Sequence, residues 1–251
     1  KGTPGKDTFT LPGTVDTWNT YYGEGGDDVF KLPQGAAVGG AGNDYIERVA
    51  SSDWWRVVQA AYWNSPSGVV VDLEAGYAED GWGTRDTLVN ITEVSGSWQS
   101  DKLYGSAADN KFYLGGGQNI VDGRGGNDIA TMPDFEGKYS LRDYTIVASI
   151  DGKTATVTMA AFPELKATLS NIERIEVAGV SAALADYINP ADMAIKGLLG
   201  ADANRWNAGS ATGTATSLTF SFNTAAAASG AGATGFRTFT DAERAVVRKM
   251  L

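Results

Sequence analysis

Apolar residues recur every nine positions in the middle of the chain. Each of them follows an Asp or Asn by two places: Leu103, Phe112, Val121 and Ala130. One inward-pointing side chain per nine residues predicts short strands stacked as rungs, because a single rung cannot bury that side chain alone. The segments between the rungs are rich in glycine, which adopts positive φ readily, so they are predicted to be turns.

Two further copies of this pattern lie upstream. Residues 39–47 read GGAGNDYIE and residues 23–30 read GEGGDDVF, while residues 2–9 hold a version with less glycine. Residues 53–63 break the period and are aromatic, with Trp54, Trp55 and Trp63 among them. Two interpretations of these tryptophans stay open. They pad the end of the stack, because aromatic rings bury large apolar areas, or they stack on sugar rings.

The pattern changes past residue 130. Residues 144–150 and 154–158 alternate on either side of Asp151-Gly152, which is a strong hairpin signal. Further strands are predicted at 165–169 and 172–177. Beyond residue 181 we predict a strand at 217–222 and a helix that begins at a capping box, Thr240 to Glu243. The predicted fold is therefore mainly β: a parallel β-roll of nonapeptide repeats with an antiparallel β cap over 1–180, followed by a small α+β segment over 181–251.

Composition narrows the functions. The net charge of −10 argues against nucleic acid as a partner and suits cations. The chain contains no Cys and no His, which removes the usual zinc ligands and the commonest general base. No apolar run approaches the roughly 18 residues of a membrane span. Because the chain starts at Lys1 without a Met or a signal peptide, we expect it to be a processed or excised piece.

Residues 1 to about 180 resemble the RTX calcium-binding repeat region of secreted bacterial proteins. Residues 39–47 match the nonapeptide G-G-x-G-x-D-x-U-x at every fixed position. The phrases GVVVDL at 68–73 and LVNI at 88–91 add to the likeness. The resemblance implies calcium as cofactor and an extracellular or cell-surface location in a bacterium. Thr92 departs from it, since an acidic residue often follows that Ile, and Asn110 and Asn119 replace the expected Asp.

Calcium takes six to eight oxygen ligands, which turn carbonyls and carboxylates can supply. In a roll of the RTX kind consecutive turns lie on opposite edges, so an ion sits between turns eighteen residues apart. This implies the pairs Asp101/Asn119 and Asn110/Asp128, with Asp28/Asp44 as the pair that brings two carboxylates. The predicted metal ligands are Asp7, Gly23, Gly25, Asp28, Gly40, Gly42, Asp44, Asp101, Asn110, Gly115, Gly117, Asn119, Gly123, Gly125 and Asp128.

Residues from about 193 to 251 resemble the opening of a serralysin-type zinc metallopeptidase domain. The likeness rests on GLLG at 197–200, RWN at 205–207, LTFSF at 218–222 and FTDAERAVVR at 239–248. The family's HExxH motif and third His are absent, so no catalytic residue carries over. That family also places its protease before the repeats, whereas here the similar segment follows them.

Three functions follow. The first is a non-enzymatic, calcium-binding structural module that folds and stiffens on extracellular calcium. The second is the N-terminal portion of a serralysin-like zinc metallopeptidase whose catalytic helix lies outside this chain. The parent protein would then be a metalloendopeptidase, although this chain alone is expected to be inactive. The third is a carbohydrate-binding or surface-layer module. Apart from calcium, the expected partner is another segment of the parent protein or another chain, bound through residues 240–251.

Overall fold

The computed structural model describes residues 1–13, 17–51, 53, 55–149 and 151–188. Residues Lys1–Tyr187 form one compact unit and Ile188–Leu251 form a second. All but the first residue of the second unit lies outside the described residues. The predicted strand at 217–222, the predicted helix at 240–251 and the whole serralysin-like segment therefore lie outside them as well.

The described residues form nineteen strands and two short 3₁₀ helices, joined by turns and loops. One sheet contains β1 (Thr8–Thr10), β3 (Val29–Leu32), β5 (Tyr45–Arg48), β7 (Val70–Asp72), β8 (Tyr77–Glu79), β9 (Arg85–Val89), β11 (Lys102–Tyr104), β13 (Gln118–Asp122), β15 (Tyr144–Ala148), β16 (Thr154–Met159) and β17 (Phe162–Ser170). The other contains β2 (Thr20–Gly25), β4 (Gly35–Ala41), β6 (Val58–Ala61), β10 (Glu93–Ser95), β12 (Lys111–Tyr113), β14 (Ile129–Thr131), β18 (Arg174–Val177) and β19 (Val180–Ala183). The 3₁₀ helices are Leu141–Asp143 and Leu184–Tyr187. Among the described residues, no helix is long and apolar enough to span a membrane.

The chain passes from one sheet to the other and back, rung by rung, which is the winding of a β-roll. The eleven-stranded sheet has the order β1-β3-β5-β9-β8-β7-β11-β13-β17-β16-β15, and the eight-stranded sheet has the order β19-β18-β14-β12-β10-β6-β4-β2. Neighbouring rungs pair in parallel, whereas β7-β8-β9, β17-β16-β15 and β18-β19 pair antiparallel. The predicted mainly-β fold with a parallel roll is confirmed.

Columns of apolar side chains form the core, one side chain from each rung. In the eleven-stranded sheet, Leu103 is in register with Val121, and Val121 with Leu169. In the eight-stranded sheet, Val94 is in register with Phe112. All of these side chains are fully buried. The nine-residue apolar period therefore predicts the core positions correctly, because successive rungs send their apolar residues alternately into the column of one sheet and the column of the other.

The interruption between the two groups of repeats does not break the roll. β9 pairs in parallel with β5, then the antiparallel strands β8 and β7 follow, and β7 pairs in parallel with β11. A β hairpin inserted in the chain therefore fills the place of regular rungs, and the sheet continues through it.

The antiparallel segment after residue 130 extends both sheets. β17 pairs in parallel with β13, and β18 pairs in parallel with β14. The predicted hairpin is present as β15 and β16. Its connection extends beyond the dipeptide Asp151-Gly152, since the N–H of Ser149 donates to the carbonyl of Thr154 at 2.8 Å and closes the loop outside that dipeptide.

Candidate metal centres

In six of the turns, the first glycine makes room for the Asp or Asn side chain five residues later. A Cβ built on this glycine would lie 2.7 Å or less from a side-chain oxygen of the Asp or Asn. The Asp or Asn therefore folds back over its own turn, where only a glycine fits. The pairs are Gly2/Asp7, Gly23/Asp28, Gly39/Asp44, Gly96/Asp101, Gly105/Asn110 and Gly123/Asp128.

Four Asp residues form a ladder across the N-terminal ends of the neighbouring strands β1, β3, β5 and β9 in the eleven-stranded sheet. The Oδ1 of Asp28 accepts from the N–H of Asp7 at 2.6 Å, and the Oδ1 of Asp44 accepts from the N–H of Asp28 at 2.8 Å. The ladder continues to Asp86, whose Oδ1 accepts from the N–H of Asp44 at 2.9 Å. The structure thus brings together Asp28 and Asp44, the predicted pair of two carboxylates, and adds Asp7 at one end and Asp86 at the other.

The other two predicted pairs are also brought together. The N–H of Asp101 donates to the Oδ1 of Asn119 at 2.9 Å, in the eleven-stranded sheet. The N–H of Asn110 donates to the Oδ1 of Asp128 at 2.7 Å, at the N-terminal ends of β12 and β14 in the eight-stranded sheet. This second ladder ends at Glu173, whose Oε2 accepts from the N–H of Asp128 at 2.7 Å.

Three of these carboxylates keep one oxygen without a donor. Among the described residues, the Oδ2 atoms of Asp28, Asp44 and Asp128 are buried and accept no hydrogen bond. A buried polar atom left without a partner costs about 1–3 kcal/mol, and more when it is charged. A cation or a proton at these oxygens would remove that cost.

The residue four places before the Asp or Asn separates these turns into two kinds. In three turns a Ser or Thr stands there and its backbone N–H caps the side chain: Thr3 donates to Asp7 at 2.5 Å, Ser97 to Asp101 at 2.9 Å and Ser106 to Asn110 at 2.7 Å. We name the turns that end at Asp7, Asp101 and Asn110 the self-capped turns.

In the turns with an unpartnered oxygen, the same place holds a residue with positive φ. These are Glu24 at 79°, Gly40 at 99° and Arg124 at 65°, before Asp28, Asp44 and Asp128. The left-handed backbone turns the N–H away; that of Arg124 donates to the Oδ1 of Asp122 instead. We name the turns that end at Asp28, Asp44 and Asp128 the open turns.

Burial raises the pKa of the stacked carboxyls, and the neighbouring acidic groups add to the effect. The pKa of Asp44 and that of Asp128 are raised to about 7, and that of Asp86 to about 8. Burial also raises the pKa of Asp28 and Asp101. The raised values mean that the folded chain resists ionising these groups unless positive charge is supplied, and a bound divalent ion supplies it.

The predicted glycine ligands fall in different local structures. Gly23 and Gly25 lie in β2 and Gly40 lies in β4, where Gly25 is in register with Ala41. At Gly23, Gly25 and Gly40 the backbone therefore continues the paired strands β2 and β4, where the sequence analysis expected a turn. Gly117 lies outside the strands, and its carbonyl accepts from the N–H of Lys166 at 3.0 Å.

The remaining predicted glycines, Gly42, Gly115, Gly123 and Gly125, all lie outside the strands. Gly42 has a φ of 141° and Gly115 is packed against the carbonyl of Ser97. Among the described residues, no group of three acidic side chains is placed to hold an ion by itself. Backbone carbonyls therefore have to complete any calcium shell here, which matches the mixed oxygen ligands that calcium accepts.

Asp86 and Glu173 were missed by the sequence analysis. Glu173 could have been found, because residues 169–173 read LSNIE and repeat the phrase LVNIT at 88–92 with an acidic last residue. Asn90 and Asn171 occupy the same place in the two phrases and both have positive φ, at 59° and 48°. Asp86 has no nonapeptide around it and joins the ladder only through the inserted hairpin.

A comparison with known protein families identifies the repeats. Residues 95–130 match the RTX calcium-binding nonapeptide repeat in four copies. The resemblance to RTX repeats is thereby confirmed, and the chain carries a calcium-binding module. No curated protein matches the chain. The serralysin-type resemblance of the C-terminal segment gains no support and stays a prediction.

Proposed function

We propose that residues 1–180 form a structural module of a secreted or cell-surface bacterial protein, and that this module folds and stiffens on extracellular calcium. The observation that carries the proposal is the set of three buried, unpartnered Asp oxygens in the open turns. The donor set fits calcium, since carboxylates and backbone carbonyls are oxygen ligands and no nitrogen or sulfur ligand is needed.

Asp28 and Asp44 would hold one ion together with carbonyls of the turns 23–26 and 39–42. Asp128 would hold another with carbonyls of the turn 123–126. Calcium supplies positive charge that offsets the repulsion between stacked carboxylates. Without it, the glycine-rich turns lose backbone entropy on folding with too little compensation.

The expected affinity is that of extracellular calcium modules, with a Kd on the order of 10⁻⁴–10⁻³ M. At tenfold excess over the Kd, each occupied site adds about 1.4 kcal/mol to the free energy of unfolding by linkage. Several weak sites therefore add their contributions in favour of the folded state on secretion.

Titration of the chelator-treated 251-residue protein tests the proposal. We expect heat of calcium binding by calorimetry, with a parallel gain of β signal in far-ultraviolet circular dichroism and a higher melting temperature. Magnesium serves as the matched control, because it dehydrates reluctantly and demands a stricter geometry. Identical spectra and melting temperatures in EDTA and in millimolar calcium would refute the proposal.

We also propose that residues 181–251 have no peptidase activity in this chain. A catalytic zinc site needs three protein ligands and an open position, and the chain has neither His nor Cys to provide them. The proposed role of residues 240–251 is to contact another segment of the parent protein or another chain, because an isolated helix this short is marginal in water. Casein hydrolysis by the purified chain, stopped by a zinc chelator that spares calcium, would contradict the proposed absence of peptidase activity.

A further inference from the structure

A pocket lies across the carboxyl ends of four neighbouring strands of the eight-stranded sheet, β6, β10, β12 and β14. Trp63 follows β6, Trp98 follows β10, and residues 133–136 follow β14. The cavity measures about 660 Å³, which is within the range of small-molecule sites. We call it the aromatic pocket.

Three aromatic residues line the aromatic pocket. Trp98 is 56% exposed, and its ring lies 6.4 Å from that of Phe135 at an angle of 41°, so the two rings are walls at an angle and not one flat platform. Phe135 is supported by Phe162, on which it stacks at 4.5 Å. Trp63 packs against the buried cluster of Ala36, Val38 and Ala61. Because two of the three rings are held by other side chains, the pocket is largely preformed.

The segment that carries Phe135 has an unusual backbone. Phe135 and Glu136 both have positive φ, at 48° and 62°, although neither is glycine. Such conformations cost free energy and persist only where the surroundings hold them. Here the N–H groups of Lys138 and Tyr139 donate to the carbonyl of Asp134 at 3.0 and 3.1 Å, and the hydroxyl of Tyr144 donates to the carbonyl of Pro133 at 2.5 Å.

The charges in the aromatic pocket are all negative. Asp134 and Glu136 line it, and no Lys or Arg does. Among the described residues neither carboxylate forms an ion pair. Lys138, in the same segment, lies over the ring of Tyr139 at 5.2 Å instead. The pocket therefore combines aromatic faces with carboxylates that nothing in the described chain neutralises.

We propose that the aromatic pocket binds a small organic cation, of the quaternary or primary ammonium class. A metal ion would use the carboxylates and leave the rings unused, whereas a neutral apolar molecule would use the rings and leave the carboxylates unused. An organic ammonium ion uses both, since its charge is attracted to the carboxylates and to the faces of the rings. The pocket carboxylates are separate from the calcium ladders, although Ser97 and Gly115 place the pocket beside the turns of the candidate calcium module.

Choline and its uncharged isostere 3,3-dimethylbutan-1-ol provide the test. Both are titrated into the 251-residue protein in millimolar calcium, with binding followed by saturation-transfer NMR and calorimetry. Calcium is kept present because the pocket residue Ser97 also bonds to Asp101 through its hydroxyl at 2.6 Å. We expect choline to bind with an affinity at least about tenfold above that of the isostere, and to weaken with added salt.

Equal binding of choline and the isostere would overturn the proposal and make the pocket a merely apolar site. Glucose and N-acetylglucosamine are titrated in parallel, and binding of either sugar in place of choline would overturn the proposal in favour of a saccharide site. Absence of binding by every compound would also overturn it. Since calcium binding is measured in the same samples, failure here is distinguishable from failure of the calcium module.

Matched variants locate the binding. Trp98→Ala and Glu136→Gln should each weaken choline binding about tenfold. Trp18→Ala removes a tryptophan that is 52% exposed elsewhere, and Glu164→Gln removes an exposed charge outside the pocket; neither should have an effect. Glu136→Gln keeps the side-chain shape and remains informative if Trp98→Ala does not fold. Equal effects of the pocket variants and the controls would contradict the assignment.

Discussion

The turn that ends at Asp44 and the turn that ends at Asp101 both begin with a glycine, Gly39 and Gly96, and both end with an aspartate. The two aspartates nevertheless differ in their hydrogen bonds. Asp101 is self-capped: Ser97 donates to it through both its N–H and its hydroxyl, and the N–H of Val69 adds a third bond. Asp44 has one oxygen that no group in the described residues reaches. Whether the Asp keeps an unpartnered oxygen therefore depends on one backbone N–H, four residues before the Asp.

The turns that match the repeat family are therefore not the same set as the turns that keep an unpartnered carboxylate oxygen. The stretch that matches the RTX repeat family, residues 95–130, holds two self-capped turns, at Asp101 and Asn110, and only one open turn, at Asp128. The upstream ladder lies outside that stretch but holds two open turns in succession, at Asp28 and Asp44. We therefore expect calcium to bind more strongly upstream.

The largest expected effect is that of pH on the calcium-free protein. Asp44, Asp86 and Asp128 have folded-state pKa values raised to about 7 or 8, above their unfolded values near 4. Between these limits the folded state binds protons that the unfolded state has lost. Stability in EDTA should therefore be greatest near pH 4 and fall as the pH rises to about 8, by at most about 1.4 kcal/mol per pH unit and group.

Melting temperatures in EDTA between pH 4 and 8 measure this effect. In saturating calcium the fall should be reduced or reversed, because the ion replaces the protons and binds more tightly as the pH rises. A calcium-free melting temperature that is level or rises over this range would show that the stacked carboxyls do not limit folding.

The second effect compares the two kinds of turn directly. Asp44→Asn keeps an acceptor for the N–H of Asp28 but removes the charge, so calcium affinity upstream should fall by about tenfold or more. Asp101→Asn and Asn119→Ala should lower calcium affinity less than Asp44→Asn does, because the carboxylate of Asp101 already accepts hydrogen bonds on both oxygens. Calorimetric titration of the three variants gives the order, and a larger loss for Asn119→Ala than for Asp44→Asn would refute it.

The third effect tests the space that the first glycine leaves. Gly39→Ala would place a Cβ against the Oδ2 of Asp44, so we expect a loss of about 1–3 kcal/mol in the free energy of unfolding and weaker calcium binding. Gly5→Ala is the matched control, since a Cβ there meets nothing within 4 Å. Urea unfolding in calcium measures both variants, and equal stability would contradict the steric argument.

The smallest effect comes from opening a self-capped turn. Ser97→Ala removes the hydroxyl bond to Asp101 and the bond that the same oxygen accepts from the N–H of Gln99, at a cost of about 0.5–1.5 kcal/mol. Ser97→Gly removes the same two bonds and also permits the positive φ seen at Gly40, which would free the second oxygen of Asp101. The glycine variant alone should gain calcium-dependent stabilisation. Equal calcium shifts of melting temperature in the two variants would disprove the role of the backbone N–H.

The nine-residue period by itself determined the rung spacing and the inward apolar columns, and the resemblance to RTX repeats implied the neighbours Asp101/Asn119 and Asn110/Asp128. These are consequences of a local repeat, because equal spacing along the chain becomes equal spacing in the stack. The two kinds of turn are also readable from sequence in part, since Ser97 and Ser106 stand where Gly40 stands in the open turn.

Only the tertiary structure decided which distant groups complete each ladder and the aromatic pocket. Asp86 reaches Asp44 across 42 residues and Glu173 reaches Asp128 across 45, in both cases after an insertion of no fixed length. The aromatic pocket likewise collects Trp63, Trp98 and Phe135 from three rungs. The physical reason is that a ladder N–H pairs with whichever strand packs next in the sheet, and sheet neighbours are chosen by burial of the whole roll and not by separation along the chain.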